Sequence, residues 1–245
     1  MNESTATKMK QMSLYGMHNA FKTAIESGRT DHYTLDEFVS MLIDSEWDER
    51  HNRRIERSIK NAKFHYQSSI ESIHFDASRN LERNKVLRLA ACEFVEKNEN
   101  VLITGSTGVG KSYLATALGY QACIEGFKVN YFNTSKLFAK LKMAKADGSY
   151  LRELAKIQRQ DVIILDDFGL QALDSANRIT LLEIIEDRHN NGSIIVTSQI
   201  PVQGWYDIIG EKTIADAILD RLIHQAHRLE LHGESMRKKK AVTKA

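Results

Sequence analysis

The chain has 245 residues, 42% of them hydrophobic, with 34 basic against 32 acidic side chains and a formal net charge of +2. That length supports one core domain with a smaller appendage, and the near-neutral balance excludes a protein that grips polyanions by bulk charge. Any such affinity has to come from local clusters. No apolar stretch approaches the ~18 residues of a bilayer span, the start has no signal-peptide core, and Cys92 and Cys123 lack metal-ligand spacing, so a soluble, cytoplasmic protein with reduced thiols is expected.

Residues 1 to 70 are expected to form a small all-α domain without phosphate chemistry. Leu14, Met17, Phe21 and Ile25 mark one helix. After a turn at 28 to 31, Thr34-Leu35-Asp36-Glu37 is a capping box opening a second helix, in which the Thr hydroxyl and Glu carboxylate satisfy the free N–H groups. Leu35, Phe38, Val39, Leu42 and Ile43 follow at the spacing of one buried face. From Arg50 to Lys63 the helix turns basic, with only Glu56 in opposition. Such a stripe is either a solvated face or a phosphate contact.

Residues 71 to 245 alternate strands and helices, the pattern of a parallel sheet covered on both faces. A helix is expected at 82 to 97, then strands at 101 to 104, 129 to 132, 162 to 165, 194 to 197 and 228 to 231, with helices between them. The first strand runs into Gly105-Ser106-Thr107-Gly108-Val109-Gly110-Lys111-Ser112, which fits G-x-x-x-x-G-K-[ST] in full. The glycines let the backbone wrap a triphosphate, Lys111 reaches the β- and γ-phosphates, and the Ser112 hydroxyl is placed for Mg²⁺. With Tyr113, these residues are the expected nucleotide-binding segment.

The third strand, Val162 to Leu165, ends in Asp166 and Asp167. Asp166 is expected in the Mg²⁺ shell beside Ser112, and Asp167 is expected to orient the attacking water. The fourth strand ends Thr197-Ser198-Gln199, where ligands sit in open α/β sheets. Ser198 is the expected contact to the γ-phosphate or the water, with Thr197 and Gln199 as alternatives. Between the second and third strands, Lys136, Lys140, Lys142 and Lys145 lie in the densest basic stretch of the core.

The order of these elements resembles that of AAA+ ATPases of the initiator and helicase-loader branch. Three further blocks, Gly204-Trp205-Tyr206-Asp207-Ile208-Ile209-Gly210, Ala217-Ile218-Leu219-Asp220-Arg221-Leu222 and Leu231-His232-Gly233-Glu234-Ser235-Met236-Arg237, are similar to the IstB family, ATP-binding transposition helpers of bacterial insertion sequences. The resemblance covers about 75 to 239. It implies a five-stranded parallel sheet in the order 5-1-4-3-2, and Arg221 as an arginine finger that enters the adjacent subunit's site in a homo-oligomer. It also implies duplex DNA, bound through Lys136, Lys140, Lys142 and Lys145 largely without regard to sequence, and a cognate transposase as partners. The chain departs from the wider superfamily twice. No room remains for a substantial helical lid, which leaves Arg237 an insecure match to the lid arginine. Asp167 stands where many members have Glu, which points to slow basal hydrolysis.

The leading expectation is an ATPase that assembles on duplex DNA and assists a transposase; a helicase loader of the DnaC type is the runner-up. A nucleotide-gated DNA scaffold without turnover is the reading from another class. GTP is disfavoured, because the chain has no Asn-Lys-x-Asp.

Overall fold

The computed structural model describes residues 2–28, 33–75 and 79–236, and the chain divides into two compact units, Met1–Arg57 and Ser58–Ala245. The turn expected at 28 to 31 lies, beyond Gly28, outside the described residues, as do Arg237 and the basic tail.

In the first unit, α1 (Asn2–Gln11) and α2 (Tyr15–Glu26) precede α3 (Leu35–Ala62). The capping box forms as expected: Glu37 accepts from the Thr34 N–H at 2.8 Å, and the Glu37 N–H donates to the Thr34 hydroxyl at 3.3 Å. The two predicted helices do pack, with the Phe21 and Phe38 rings 6.4 Å apart. Gly16 allows the approach, since a Cβ there would lie 2.2 Å from the Ser45 carbonyl oxygen. Buried Glu46 accepts from the Gly16 and Met17 N–H groups at 2.8 and 3.2 Å and so caps α2. The buried face of α3 differs from the expected one. Leu42 is buried, whereas Leu35, Val39 and Ile43 are exposed, and Trp47 continues that exposed stripe at 71%. Apolar spacing marks a stripe without saying that it is covered.

The second unit is a five-stranded parallel sheet between helices. β1 (Asn100–Gly105), β2 (Val129–Asn133), β3 (Val162–Phe168), β4 (Ser193–Ser198) and β5 (Ala226–Leu231) lie in the order 2-3-4-1-5. This is the expected order read from the other edge. The helix expected at 82 to 97 is two, α4 (Arg83–Ala90) and α5 (Glu93–Glu96), separated where Cys92 adopts a φ of 61°.

α6 (Lys111–Ile124) follows β1, α7 (Thr134–Ala146) and α8 (Tyr150–Gln158) link β2 to β3, and α9 (Ser175–Arg188) links β3 to β4. α10 (Trp205–Ile209) and α11 (Lys212–Ile223) lead into β5. β1, β3 and β4 are buried along almost their whole length because both faces are covered. One hydrophobic cluster, around Val101, Leu118 and Ile164, includes the inner face of α6; the other, around Leu102, Ile163 and Trp205, carries α7 to α11. Trp205 is a core anchor: it is fully buried, stacks edge-on against Phe168 at 4.9 Å and donates its indole N–H to the Ile200 carbonyl.

Arg188 ties the amino ends of the strands. Although buried, its guanidinium donates to the carbonyls of Ile157, Gln160, Asp161 and Ser193 at 2.9 to 3.1 Å. Burial pulls its pKa down to about 10, which leaves it charged at neutral pH. Among the described residues no helical lid follows β5, and no helix is long and apolar enough to cross a membrane.

Candidate nucleotide site

Because β4 lies between β3 and β1, the carboxyl ends of these three strands open on the same side, where the chain order of the sheet reverses. The loop after β1 carries positive φ at Gly105, Gly108 and Gly110. Two of these glycines are also required from behind. A Cβ on Gly105 would lie 2.2 Å from the Leu231 carbonyl oxygen, and one on Gly108 would lie 2.3 Å from the Ser235 hydroxyl. The segment after β5 therefore backs the loop, and the Met236 N–H donates to the Gly108 carbonyl at 2.9 Å.

α6 begins at Lys111, so its first N–H groups and the positive end of its dipole face the loop. Lys111 is buried and its ammonium donates to the Ser106 carbonyl at 2.9 Å. Burial lowers its pKa, against the opposing pull of Asp167 and Asp166. Arg79, which the sequence reading missed, fastens the loop from below, donating to the carbonyls of Val109 at 2.8 Å and His74 at 2.6 Å. A cavity of about 420 Å³ opens here, lined by Lys111, Ser112, Tyr113, Asp167, Gln199 and Arg79 among others.

Successive side chains of a regular strand face opposite sides, which would separate Asp166 from Asp167. β3 avoids this with a bulge. Leu165 pairs with Val196 and Phe168 with Ser198, so one extra residue is accommodated, and Asp167 takes a φ of 59°. Thr197 fixes the result: its hydroxyl accepts from the Asp167 N–H at 3.1 Å and donates to Asp166 Oδ1. Asp166 Oδ2 accepts from the Tyr131 hydroxyl. Burial, and then the hydrogen bond to this carboxylate, raise the Tyr131 pKa well above the usual phenol range, so it remains a donor. Asn133 Nδ2 lies 3.4 Å from Asp167 Oδ2, while its Oδ1 accepts from the Lys136 N–H and caps α7. The Thr134 hydroxyl donates to the Asp166 carbonyl at 2.8 Å.

Two expectations change in detail. Ser198 is fully buried, and its hydroxyl is engaged with the backbone, donating to the Phe168 carbonyl at 2.8 Å and accepting from the Ile200 N–H at 3.1 Å. The strand end presents Gln199 to the cavity instead, where it accepts from the Thr107 hydroxyl at 2.6 Å. Among the four lysines, Lys140 is paired with Glu153, and Lys145 donates to Thr180 with its ammonium 4.4 Å from the Tyr150 ring centroid. Hydrogen bonds from Lys140 and Lys156 push Glu153 down to about 2. All four lysines are exposed, and Lys136 and Lys142 lack the ion pair or side-chain hydrogen bond that Lys140 and Lys145 make among the described residues.

Arg221 is absent from this cavity. It sits on α11, bonded to the Ala217 carbonyl at 2.8 Å and 3.4 Å from Glu186, while its own carbonyl accepts from Asn100 at the start of β1. That is the end of the sheet opposite the phosphate loop. The donors present suit Mg²⁺, which takes oxygen ligands and keeps several waters rather than requiring a full protein cage: a hydroxyl at Ser112 and a carboxylate at Asp166. Among the described residues no cluster of three or more His, Cys, Asp or Glu offers such a cage.

Comparison with known proteins points to ATP binding. The family described as IstB-like ATP binding protein matches residues 7–244. The chain is 40% identical over 234 residues to a protein of Sinorhizobium fredii named as an insertion sequence ATP-binding protein, covering 96% of both chains. It is 32% identical to the one named for insertion sequence IS21 of Pseudomonas aeruginosa, over 95% of this chain and 86% of that one. The crystal structure of the DnaC helicase loader resembles it with a TM-score of 0.56 at 24% identity, over 69% of this chain and 99% of that one. This last likeness concerns the fold.

The expected roles of Lys111 and Asp167 differ in what each variant should lose. Lys111→Ala removes the buried cation of the phosphate loop and is expected to weaken ATP binding about 100-fold, the scale of a lost pair of charge-assisted hydrogen bonds. Asp167→Asn is expected to leave affinity within a few-fold while slowing turnover roughly 10²- to 10⁴-fold. Calorimetric titration alongside phosphate release distinguishes the two; equal loss of affinity in both variants contradicts the assignment.

Proposed function

The chain belongs to the family of IstB-like ATP-binding proteins, and from that membership we propose that it is a DNA-binding ATPase that oligomerises on duplex DNA and assists the transposase of its insertion sequence. The observation that carries this reading is the separation of Arg221 from its own nucleotide cavity. It stands at the other end of the sheet, partly exposed, with a hydrogen bond to the Ala217 carbonyl of its own helix and a long ion pair to Glu186. A guanidinium in that position suits a neighbour's γ-phosphate, where its several donors spread over the oxygens.

Within one site, Lys111 and the N–H groups at the start of α6 hold the phosphates. Ser112 and Asp166 would hold Mg²⁺, which supplies charge neutralisation on the β- and γ-oxygens. Asp167 orients a water in line with the bond from the γ-phosphorus to the bridging oxygen; that bond breaks as the water oxygen bonds to phosphorus, and ADP leaves with phosphate. Gln199, beside the phosphate loop, is the polar group of β4 best placed to contact the γ-phosphate or the water. Asn133 touches Asp167 and caps α7, which gives nucleotide state a direct route to the basic helix and hence to DNA. The helical N-terminal region serves recruitment, and the exposed stripe of Leu35, Val39, Ile43 and Trp47 supports that assignment. The insertion-sequence relatives favour a transposase over a replicative helicase as partner.

A shared site has a distinctive genetic logic. An Arg221→Ala subunit leaves its neighbour without a finger yet still offers its own site to an intact one. Mixing Arg221→Ala with Lys111→Ala protein is therefore expected to restore ATPase activity that each lacks alone; no recovery despite demonstrated co-assembly contradicts a finger acting between subunits.

DNA affinity is expected to fall with salt at a log–log slope of about −0.9 per phosphate neutralised, with little dependence on duplex sequence. Since Lys140 and Lys145 are engaged within the protein, Lys136→Ala with Lys142→Ala is the informative pair. It is expected to flatten the slope by roughly two such increments per subunit engaged, and an unchanged slope in the ATP-bound state places DNA elsewhere.

A further inference from the structure

We infer that Tyr131 is a positioning residue for the Mg²⁺-binding carboxylate, an inference that rests on the assignment of Asp166 as the metal ligand. Tyr131 lies on β2, the edge strand, opposite Ile164 of β3, with Asn133 opposite Asp166. Its phenol therefore starts two residues short of the carboxylate and reaches forward along the strand to Asp166 Oδ2. Thr197 approaches Oδ1 from β4 on the other side. Two hydroxyls from the two flanking strands thus hold the two oxygens of one buried carboxylate, fixing its plane while leaving each oxygen a further lone pair.

That fixation matters for this metal in particular. Mg²⁺ demands near-octahedral angles and dehydrates reluctantly, so a carboxylate free to rotate offers it a poorer ligand than one already held. Hydrogen bonds behind a metal ligand typically govern affinity by about 10- to 100-fold. Thr197 also anchors the Asp167 backbone, which mixes two roles in one side chain. Tyr131 offers the cleaner test, because its phenol bonds Asp166 and its replacement by phenylalanine removes one oxygen atom only. A cavity of about 570 Å³, lined in part by Tyr131, Asp166 and Lys136, adjoins the pair. Water entering from it can replace the lost hydrogen bond in part, so an effect near the lower end of that range is expected.

The experiment is equilibrium binding of a fluorescent, non-hydrolysable ATP analogue to the full chain, first in EDTA and then across a Mg²⁺ series. Tyr131→Phe is expected to match the unaltered protein within about twofold in EDTA and to require ~10-fold more Mg²⁺ for half of the metal-dependent gain in affinity. A residue that merely fills the core would change both measurements or neither. Asp166→Asn is the reference. If it raises the Mg²⁺ requirement and Tyr131→Phe does not, the positioning role is overturned while the metal assignment stands. If Asp166→Asn itself leaves the requirement unchanged, the metal assignment fails and the role of Tyr131 falls with it. A Tyr131→Phe protein that loses analogue binding even in EDTA also overturns the inference, since the hydroxyl would then be needed by the site as a whole.

Discussion

A carboxylate can be buried at the end of a strand only if something replaces the water it gives up, and the way Asp166 meets that condition organises the site around it. Hydroxyls come from Tyr131 on one neighbouring strand and Thr197 on the other. The same Thr197 oxygen accepts the Asp167 N–H and so stabilises the left-handed residue that lets a second carboxylate follow the first into the same region. Without the bulge, Asp167 would face the opposite side of the sheet. One threonine oxygen thus links the orientation of one acid to the backbone conformation of the next.

From this knot the connections run outward along both neighbours. On the β2 side, Asn133 and Thr134 join the acids to the first turn of α7, and Lys140 of α7 clamps it to α8 through Glu153, which also pairs with Lys156 of its own helix. On the β4 side, Gln199 meets Thr107, and the chain continues to the buried Trp205 and on to α11, which carries Arg221. In the proposed assembly, the residues that sense a bound nucleotide are thereby tied to the helix offered to DNA and to the arginine offered to a neighbour. This arrangement suits an enzyme whose hydrolysis resets an assembly rather than turning over a free substrate.

The phosphate loop and the acidic pair were legible because each depends on a short stretch of sequence, glycines at fixed spacing and an apolar run ending in acids, whereas the strand order was implied by the family resemblance carried by the blocks around Trp205 and Arg221. What escaped depends on contacts distant in sequence. Tyr131 and Asp166 are 35 residues apart and Arg79 and Val109 are 30 apart, and no local pattern announces either pair. Ser198 was preferred with Gln199 as an alternative, because the sequence does not say which residue at the end of an apolar strand turns into the core and which lines the cavity. In α3, helical spacing identified a stripe but not its environment, so Leu35, Val39 and Ile43 were expected inside and are exposed. The division of the helix after Leu81 was hidden because Cys92, an ordinary core residue by composition, adopts a left-handed backbone.

In the proposed assembly, a nucleotide held by one subunit is completed by Arg221 of the next, so that assembly on DNA and hydrolysis are one process. The most direct test is a structure, by electron cryomicroscopy, of the protein assembled on duplex DNA with a non-hydrolysable ATP analogue. Arg221 of one subunit is expected within hydrogen-bonding reach, about 3 Å, of the γ-phosphate bound by its neighbour. An assembly in which Arg221 remains on Glu186 of its own chain, remote from every nucleotide, would contradict it.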